Sequence, residues 1–234
     1  MRTSNSRWWC SNLSCRERRR PQTNMATPGD NSVGMKMLQF LKLIGQLKRV
    51  PRTGWVYREV KEPESVSDHM YRMALMSLTI TDPTVDKDRC MKLSLVHDMA
   101  ECIVGDIAPP DNVSKAEKHR REEAAMKQLI SFTPGSVGQE LYGLWEEYEN
   151  QSSPEARLVK EFDRLEMILQ AHEYEELEGT PGRLQEFFDS TEGHFQHPDV
   201  LQLVSSLNDE RRSHMTRSAK NSGKSQPQAS LHAS

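Results

Sequence analysis

The chain has 234 residues, a length that suits one main core, and a formal charge of −3. That charge is uneven: residues 1–24 carry six arginines against Glu17, and residues 210–234 carry five basic residues against Glu210. Subtracting the +5 and +4 of these ends leaves a net charge of about −12 on residues 25–209, and such an acidic body would repel a nucleic-acid polymer. No apolar run reaches the roughly 18 residues that a membrane-spanning helix needs.

Apolar residues follow a helical period through almost the whole chain between the basic ends. No stretch alternates convincingly as a strand does, so the predicted fold class is all-α, a single helical bundle. The composition of the ends predicts a disordered basic extension over residues 1–30 and a disordered tail over residues 213–234. The bundle is accordingly predicted over residues 31–212.

Four helices are predicted in the first half of the bundle. Pro51 and Gly54 would break the chain after the first, and Ser65 or Ser67 in the capping pattern SVSD would begin the second. Gly105 is well placed to end the third, and the capping pattern SKAE would open the fourth. The predicted spans are residues 33–48, 65–83, 86–104 and 114–132.

Four more helices are predicted in the second half. The first covers GQELYGLWEEYE, and the next is a long helix with Ser153 as its cap and Pro154 at its first helical position. Two shorter helices are predicted after Pro181 and Pro198.

The stretch SLVHDMAECIVGD places metal-binding side chains inside the third predicted helix. His97 and Asp98 are adjacent and diverge by about 100°, yet both can reach an ion that lies between their directions. Glu101 lies one turn beyond His97 on the same face, and Asp106 follows the helix end. Imidazole and carboxylate without cysteine predict an open, catalytic divalent-metal site rather than a closed structural zinc site.

Two ligands do not hold a catalytic ion, so other helices must contribute. His69 in ESVSDHMYRMA and Asp163 in VKEFDRLEMILQA both interrupt apolar stretches. A carboxylate near a core is costly unless it is paired or bound to metal. Taken alone, His69 also fits a surface histidine at a helix start, and Asp163 also fits an ion pair at the edge of an apolar stripe.

The order of these residues resembles that of the HD-domain metal-dependent phosphohydrolases. His69, His97, Asp98 and Asp163 match the four ligands of that family in sequence order, and the segments ESVSDH, HDMAECIVGDIAP and KEFD resemble its 5′-deoxynucleotidase branch over residues 33–210. The resemblance implies that Glu101 and Asp106 are catalytic and help to hold metal. It extends the predicted metal set to Ile107, the residue after Asp106.

The resemblance also implies an activity. It predicts a hydrolase that uses Mn²⁺, Co²⁺ or Mg²⁺ to convert deoxynucleoside 5′-monophosphates to deoxynucleosides and phosphate, and that forms a homodimer. The alternative is a non-catalytic nucleotide sensor or interaction module on the same metal-containing bundle. No nucleic-acid polymer and no membrane is expected as a partner.

The segment LKRVPRTGWVYREV is predicted to set the substrate preference. In relatives a basic residue followed by tryptophan contacts the phosphate and excludes the ribose 2′-hydroxyl. Here Arg49 is predicted to bind the phosphate, but Val50 stands where bacterial relatives have tryptophan. Trp55 either replaces that tryptophan or packs under the loop.

The pattern of the four cysteines indicates the cellular compartment of the protein. Cys10, Cys15, Cys90 and Cys102 form no C-x-x-C pair, and the last two lie among apolar residues of helical patterns. Reduced buried thiols predict an intracellular, cytoplasmic location. Mitochondrial targeting by the Arg-rich N-terminus is the minor alternative.

Overall fold

The structure is a computed structural model that describes residues 28–223, with side chains described for residues 32–218 and 220. Within this range the chain forms ten α-helices and no strand, and none of these helices is long and apolar enough to cross a membrane. The helices are α1 (Pro28–Ile44), α2 (Thr53–Tyr57), α3 (Val66–Thr79), α4 (Lys87–Val96), α5 (Glu101–Val104), α6 (Lys115–Ile130), α7 (Gly135–Asn150), α8 (Pro154–Leu177), α9 (Gln185–Asp189) and α10 (Pro198–Gly223). Two 3-10 turns cover Gly45–Arg49 and Pro109–Asp111.

Helices α3, α4 and α8 pack against one another at the centre of the bundle. Met73 of α3, Leu93 of α4 and Phe162 of α8 are completely buried there. Helix α7 covers α4 and α8, α6 packs on α7, and α10 packs on α8. The predicted all-α bundle is confirmed, and the predicted metal ligands lie on α3, on α8 and in the turn that follows α4.

Capping residues begin the helices where the sequence predicts. Ser65 and Asp68 form a reciprocal capping box at the start of α3. Ser114 accepts a hydrogen bond from the Glu117 N–H at the start of α6. Ser153 accepts one from the Ala156 N–H, with Pro154 at the first position of α8.

The third predicted helix is not continuous, which corrects the prediction for residues 86–104. Helix α4 ends at Val96, and the next residues form tight turns in which the Glu101 N–H donates to the Asp98 carbonyl at 3.0 Å. Helix α5 follows and ends at Gly105, where φ is +76°. In such i to i+3 winding, side chains three residues apart eclipse, so Asp98 and Glu101 lie on one side of the turn.

Other boundaries also differ from the prediction. Helix α10 has 26 residues and continues past residue 212 to Gly223, so it is neither short nor limited to the predicted bundle. Helix α2 was missed because Pro51 and Gly54 indicate a break in the chain. Residues 1–27 and 224–234, which make up most of the predicted N-terminal tail and half of the predicted C-terminal one, lie outside the described residues.

Candidate metal centre

The four predicted ligands converge where α3, α8 and the turn after α4 meet. The His69 Nε2 atom lies 3.4 Å from Asp163 Oδ1 and 3.9 Å from Asp98 Oδ2. The His97 Nε2 atom lies 3.1 Å from Asp98 Oδ2. One ligand atom from each of His69, His97 and Asp163 falls within 4.8 Å of the others. Residues far apart in the chain therefore offer their ligand atoms to one small volume.

Both histidines are held by their outer ring nitrogen. The His69 Nδ1 atom lies 2.6 Å from Glu166 Oε2, and the His97 Nδ1 atom lies 2.9 Å from the Ser94 carbonyl oxygen. Their Nε2 atoms are buried and make no hydrogen bond. Hydrogen bonds that fix one ring nitrogen and leave the other as a ligand are typical of metal-binding histidines, so the two imidazoles fit a divalent ion.

The two aspartates are oriented in the same way. Asp163 Oδ2 accepts hydrogen bonds from the Tyr148 hydroxyl at 2.9 Å and from Lys160 Nζ at 2.8 Å, which leaves Oδ1 facing His69. Burial opposes ionisation, but Lys160 and His69 hold the pKa of Asp163 well below its usual value. Burial also opposes ionisation of Asp98, whose pKa His97 lowers. Both side chains are therefore carboxylates at neutral pH.

His69 lies in a strongly negative environment. Burial and the Arg52 guanidinium favour its neutral form, but Glu166 and Asp163 raise its pKa to about 9. The carboxylates thus stabilise a positive charge at this position. A metal ion bound at Nε2 would replace the proton there and would be stabilised by the same carboxylates.

A cleft of about 530 Å³ opens above the centre and contains Asp98, Asp163 and Glu101. Glu101 is 2% exposed, and its Oε2 atom makes no hydrogen bond. Burial, followed by the charges of Asp98 and Asp106, raises the pKa of Glu101 well above its usual value. The eclipsed position of Asp98 and Glu101 in the tight turn is the structural cause of part of this shift.

Asp106 and Ile107 form the edge of the cleft that follows α5. The Thr53 N–H donates to Asp106 Oδ2 at 2.6 Å, and the Thr53 hydroxyl donates to the Asp106 carbonyl at 2.7 Å. Ile107 has no ligand atom in its side chain, and its carbonyl accepts a hydrogen bond from Lys118 Nζ at 3.4 Å. The structure thus brings both residues to the cleft and ties them to α2 and α6.

Arg49, the predicted phosphate-binding arginine, does not lie at the cleft in this structure. Arg49 is exposed, donates to Gln46 at 3.3 Å and does not line the cleft. Arg52 lines it instead, 3.5 Å from Asp98 and 3.8 Å from Asp163. Two backbone hydrogen bonds, from Arg52 N–H to Glu64 and from Val66 N–H to Val50, fix the loop in this position. That long-range pairing has no local sequence signal.

Trp55 packs under the loop, which was one of its two predicted roles. Its side chain is 1% exposed, and its indole N–H donates to Glu64 Oε1 at 2.9 Å. The ring packs edge-on against Tyr174 and lies 4.5 Å from the Phe187 ring. Lys160, which the sequence did not single out, also lines the cleft, together with the basic residues Arg52, Arg58 and Lys118.

Comparison with known proteins identifies the family. The family model named HD domain matches residues 44–201. The chain belongs to the HD domain family. The matched segment contains the four converging ligands and Arg52, the arginine that lines the cleft between the two aspartates. The match ends at residue 201, in the first turn of α10.

Similar proteins cover most of the chain. The 5′-deoxynucleotidase HDDC2 of Danio rerio is 72% identical over 179 residues, which is 76% of this chain and 90% of that protein. HDDC2 of Homo sapiens is 65% identical over 183 residues, which is 78% of this chain and 90% of that protein. A crystal structure of a protein from Pyrococcus horikoshii OT3 resembles this HD domain with a TM-score of 0.61 at 35% identity, covering 75% of this chain and 99% of that one.

Proposed function

We propose that this HD domain is a metal-dependent 5′-deoxynucleotidase, which hydrolyses deoxynucleoside 5′-monophosphates to deoxynucleosides and phosphate. The similar proteins from Danio rerio and Homo sapiens are both named 5′-deoxynucleotidase. The observation that carries the proposal is the pair of buried, unbonded Nε2 atoms of His69 and His97, which face two carboxylates at the base of a cleft.

The proposed ion is Mn²⁺, Co²⁺ or Mg²⁺, held by His69, His97, Asp98 and Asp163. When bound, a divalent ion supplies Lewis acidity, which polarises a phosphoryl oxygen and lowers the pKa of a bound water. Further predicted ligands, at the cleft beside these four, are Glu101, Asp106 and the carbonyl of Ile107.

Four basic side chains line the cleft, and three of them are proposed to favour phosphate binding, since the fourth, Arg58, is paired with Glu186. Arg52, Lys118 and Lys160 offset the carboxylates that would otherwise repel a phosphate dianion. Burial opposes the charge of Arg52, but Asp163 and Asp98 raise its pKa further above its usual value, so it stays protonated. A planar guanidinium can donate two parallel hydrogen bonds to phosphate oxygens, so Arg52 is assigned as the main phosphate ligand.

Proton transfer is assigned to Glu101 with Asp106. Hydrolysis adds the oxygen of water to phosphorus and breaks the bond from phosphorus to the 5′ oxygen, which must then gain a proton. Burial, followed by the charges of Asp98 and Asp106, raises the pKa of Glu101, and its side chain lines the cleft, so Glu101 is assigned the exchange of this proton with the 5′ oxygen. Asp106 has one carboxylate oxygen fixed by the Thr53 N–H, and the group is thereby positioned to orient a water.

The nucleoside is proposed to occupy the apolar side of the cleft. Met167, Phe187 and the two prolines of the 3-10 turn line this side. A base would bury apolar surface there while its phosphate reaches Arg52. Trp55 has no free N–H for the sugar, so the proposed preference for deoxyribose is supported by the names of the relatives rather than by this residue.

A homodimer is proposed through an apolar groove formed by α1, α3, α4 and α7. Leu41, Tyr71 and Leu95 line this groove, and they are 56%, 63% and 46% exposed. Exposed apolar patches of this kind mark interaction sites. Lys92 and Glu140 at the rim are paired at 2.6 Å, so the rim carries both charges and suits contact with a second copy of itself.

An intracellular, cytoplasmic location is also proposed. Cys90 and Cys102 are buried and form no disulfide. Burial raises the pKa of Cys90 to about 12 and that of Cys102 to about 11, so both remain thiols at neutral pH. Unpaired buried thiols are compatible with a reducing compartment.

The proposed function is tested by phosphate release from metal-stripped protein re-supplied with Mn²⁺, Co²⁺ or Mg²⁺. We expect release from dAMP that requires added metal, with much less release from AMP. Equal release from both would retain the hydrolase and contradict the deoxyribose preference. Metal binding without release from either substrate would contradict the enzyme and favour a nucleotide sensor.

The metal site is tested by Asp98→Ala. This change removes a carboxylate of the centre, so metal retention and phosphate release should both be lost. Asp88→Ala is the matched control, because Asp88 is an exposed aspartate on α4. A fully active Asp98→Ala protein would contradict the assignment.

A further inference from the structure

A second group of histidines and carboxylates lies where α8 packs on α10, away from the metal centre of His69, His97, Asp98 and Asp163, which is called the HD centre below. Helix α8 carries His172 and Glu176, and α10 carries Glu210 and His214. Each pair is spaced by four residues, which places its members one turn apart on the same helix face. Asp163 is nine residues before His172, about 14 Å along α8, so this group is separate from the catalytic centre.

The distances within the group are those of side chains that can share an ion. Ligand atoms of His172, Glu176 and Glu210 all lie within 4.8 Å of one another. The His172 Nε2 atom is 3.6 Å from Glu176 Oε1, and the His214 Nδ1 atom is 4.0 Å from the same oxygen. Ligand atoms about 2.1 Å from one tetrahedral ion lie about 3.4 Å apart, so small side-chain rotations bring the group together.

His172 supplies an independent observation that points to a ligand. Its residue is 3% exposed, and both ring nitrogens are buried without a hydrogen bond. The buried Nδ1 atom of His214 is also without one. Native proteins rarely leave buried polar atoms unsatisfied, because each loses its bonds to water and gains nothing in return.

Within the described part of the chain, the carboxylates of the group have no permanently charged basic partner. Among the residues that the structure describes, no lysine or arginine forms an ion pair with Glu176 or Glu210. The neighbouring Arg211 is engaged by Glu175 at 2.8 Å. Two carboxylates and two imidazoles with free lone pairs therefore face one another across the helix interface.

We propose that His172, Glu176, Glu210 and His214 form a second metal site, for a divalent transition ion of the zinc type, that fastens α10 to α8. Imidazole and carboxylate together are typical ligands of zinc. Glu210 and His214 lie beyond the family match, which ends at residue 201. The site would therefore be a structural addition to the HD domain, independent of its hydrolytic activity.

The test counts zinc in the full chain. Metal-stripped protein receives a small excess of Zn²⁺, is desalted, and its zinc per protomer is measured by mass spectrometry. The double variant Glu210→Gln, His214→Ala should retain one zinc fewer than the parent. His194→Ala is the matched control, since His194 is an exposed histidine between α9 and α10, and it should retain as much as the parent. Equal zinc in the double variant and the parent would overturn the proposal.

A second measurement separates this site from the catalytic centre. In a His97→Ala background the HD centre is impaired, yet Zn²⁺ should still raise the melting temperature, because it binds only the folded arrangement of α8 and α10. Adding His214→Ala, a change at a partly exposed side chain, should remove that rise. A rise that persists in the combined variant, or no rise in the His97→Ala protein, would overturn the proposal.

Discussion

At the scale of single residues, one arginine of the cleft lies closest to the aspartates of the centre. The Arg52 guanidinium approaches both Asp98 and Asp163, and these carboxylates, with Asp106 and Glu101, stabilise its charge. Because Arg52 is 15% exposed at its side chain, it faces the cleft while much of it is shielded from water. It is thus the cationic side chain best placed to meet a phosphate above the aspartates.

Arg52→Ala is expected to lower kcat/KM for dAMP by about 10- to 150-fold, because a hydrogen bond to a charged group contributes about 1.5–3 kcal/mol. Steady-state phosphate release at saturating metal measures this effect. Arg49→Ala serves as the control, because Arg49 lies in the same segment but outside the cleft, and its kcat/KM should match that of the parent. A larger loss in Arg49→Ala than in Arg52→Ala would contradict the assignment.

The sequence selects the four converging side chains of the centre better than it selects the groups around them. His69, His97, Asp98 and Asp163 can be selected because their types and order match a known pattern, and the structure brings them together. Arg52 cannot be selected in this way, since its orientation depends on backbone bonds between residues 50–52 and residues 64–66. Glu166 is likewise recognisable only once α3 and α8 are packed.

At the scale of elements, the break between α4 and α5 shapes the site. Gly105 ends α5 with φ +76° and ψ 166°, a backbone region that is essentially restricted to glycine. The next residue is Asp106, which the Thr53 N–H holds at the cleft. The backbone of one glycine thus determines where this carboxylate lies.

Gly105→Ala is expected to destabilise the protein by about 1–3 kcal/mol and to lower kcat/KM, because the backbone must shift and displace Asp106. No heavy atom lies within 4 Å of an added Cβ, so crowding is not the cause. Chemical denaturation and phosphate release measure the two effects. Gly143→Ala, in the interior of α7 with equal space, should instead stabilise by about 0.5–1 kcal/mol. Equal effects at both glycines would contradict this explanation.

The contact between α8 and α10 depends on a buried ion pair. Arg211 donates to both oxygens of Glu175, whose side chain is 1% exposed. Arg211→Met should lower the free energy of unfolding by about 3–5 kcal/mol, because it leaves the Glu175 charge buried and unpaired. Arg212→Met, at the exposed neighbour, should cost less than about 1 kcal/mol. Urea denaturation at neutral pH measures the free energy of unfolding of both variants and distinguishes a buried ion pair from an exposed one.

The same pair predicts a dependence on pH. Burial opposes ionisation of Glu175, but Arg211 and the Leu184 N–H lower its pKa below the ordinary 4.5. The unfolded state then binds more protons, so the contribution of the pair is complete above pH 4.5 and is lost as the pH falls through the lower folded pKa. The stability difference between the parent and Arg211→Met should shrink in this acidic range. A difference that grows on acidification would contradict the prediction.

Most elements could be predicted from local signals, and the exceptions have physical causes. Ser65, Ser114 and Ser153 cap their helices as the sequence indicates. The interruption after Val96 was not predicted, because the apolar pattern continues through it and only tertiary contacts favour the tighter turns. Helix α10 was underestimated because its polar second half has the composition of a tail.

At the scale of the whole molecule, the apolar groove of α1, α3, α4 and α7 is the predicted dimer contact. Leu41→Glu should produce a monomer, because burying a carboxylate in this contact is costly. Sedimentation velocity measures the change. Leu177→Glu is the control at an 81% exposed leucine outside the groove, and it should leave the parent's assembly state unchanged. A dimer that persists in Leu41→Glu would contradict the proposed interface.

The packing of α10 on α8 also limits how far the chain can be truncated at its C-terminal end. A fragment cut at residue 201, where the family match ends, would lack Arg211 and leave Glu175 without its counter-charge on the helix that carries Asp163. A fragment that ends after α10 instead keeps both Arg211 and its partner Glu175. The end of the family match is therefore a poor place to cut the chain, and expression for crystallography or enzymology should extend through residue 223.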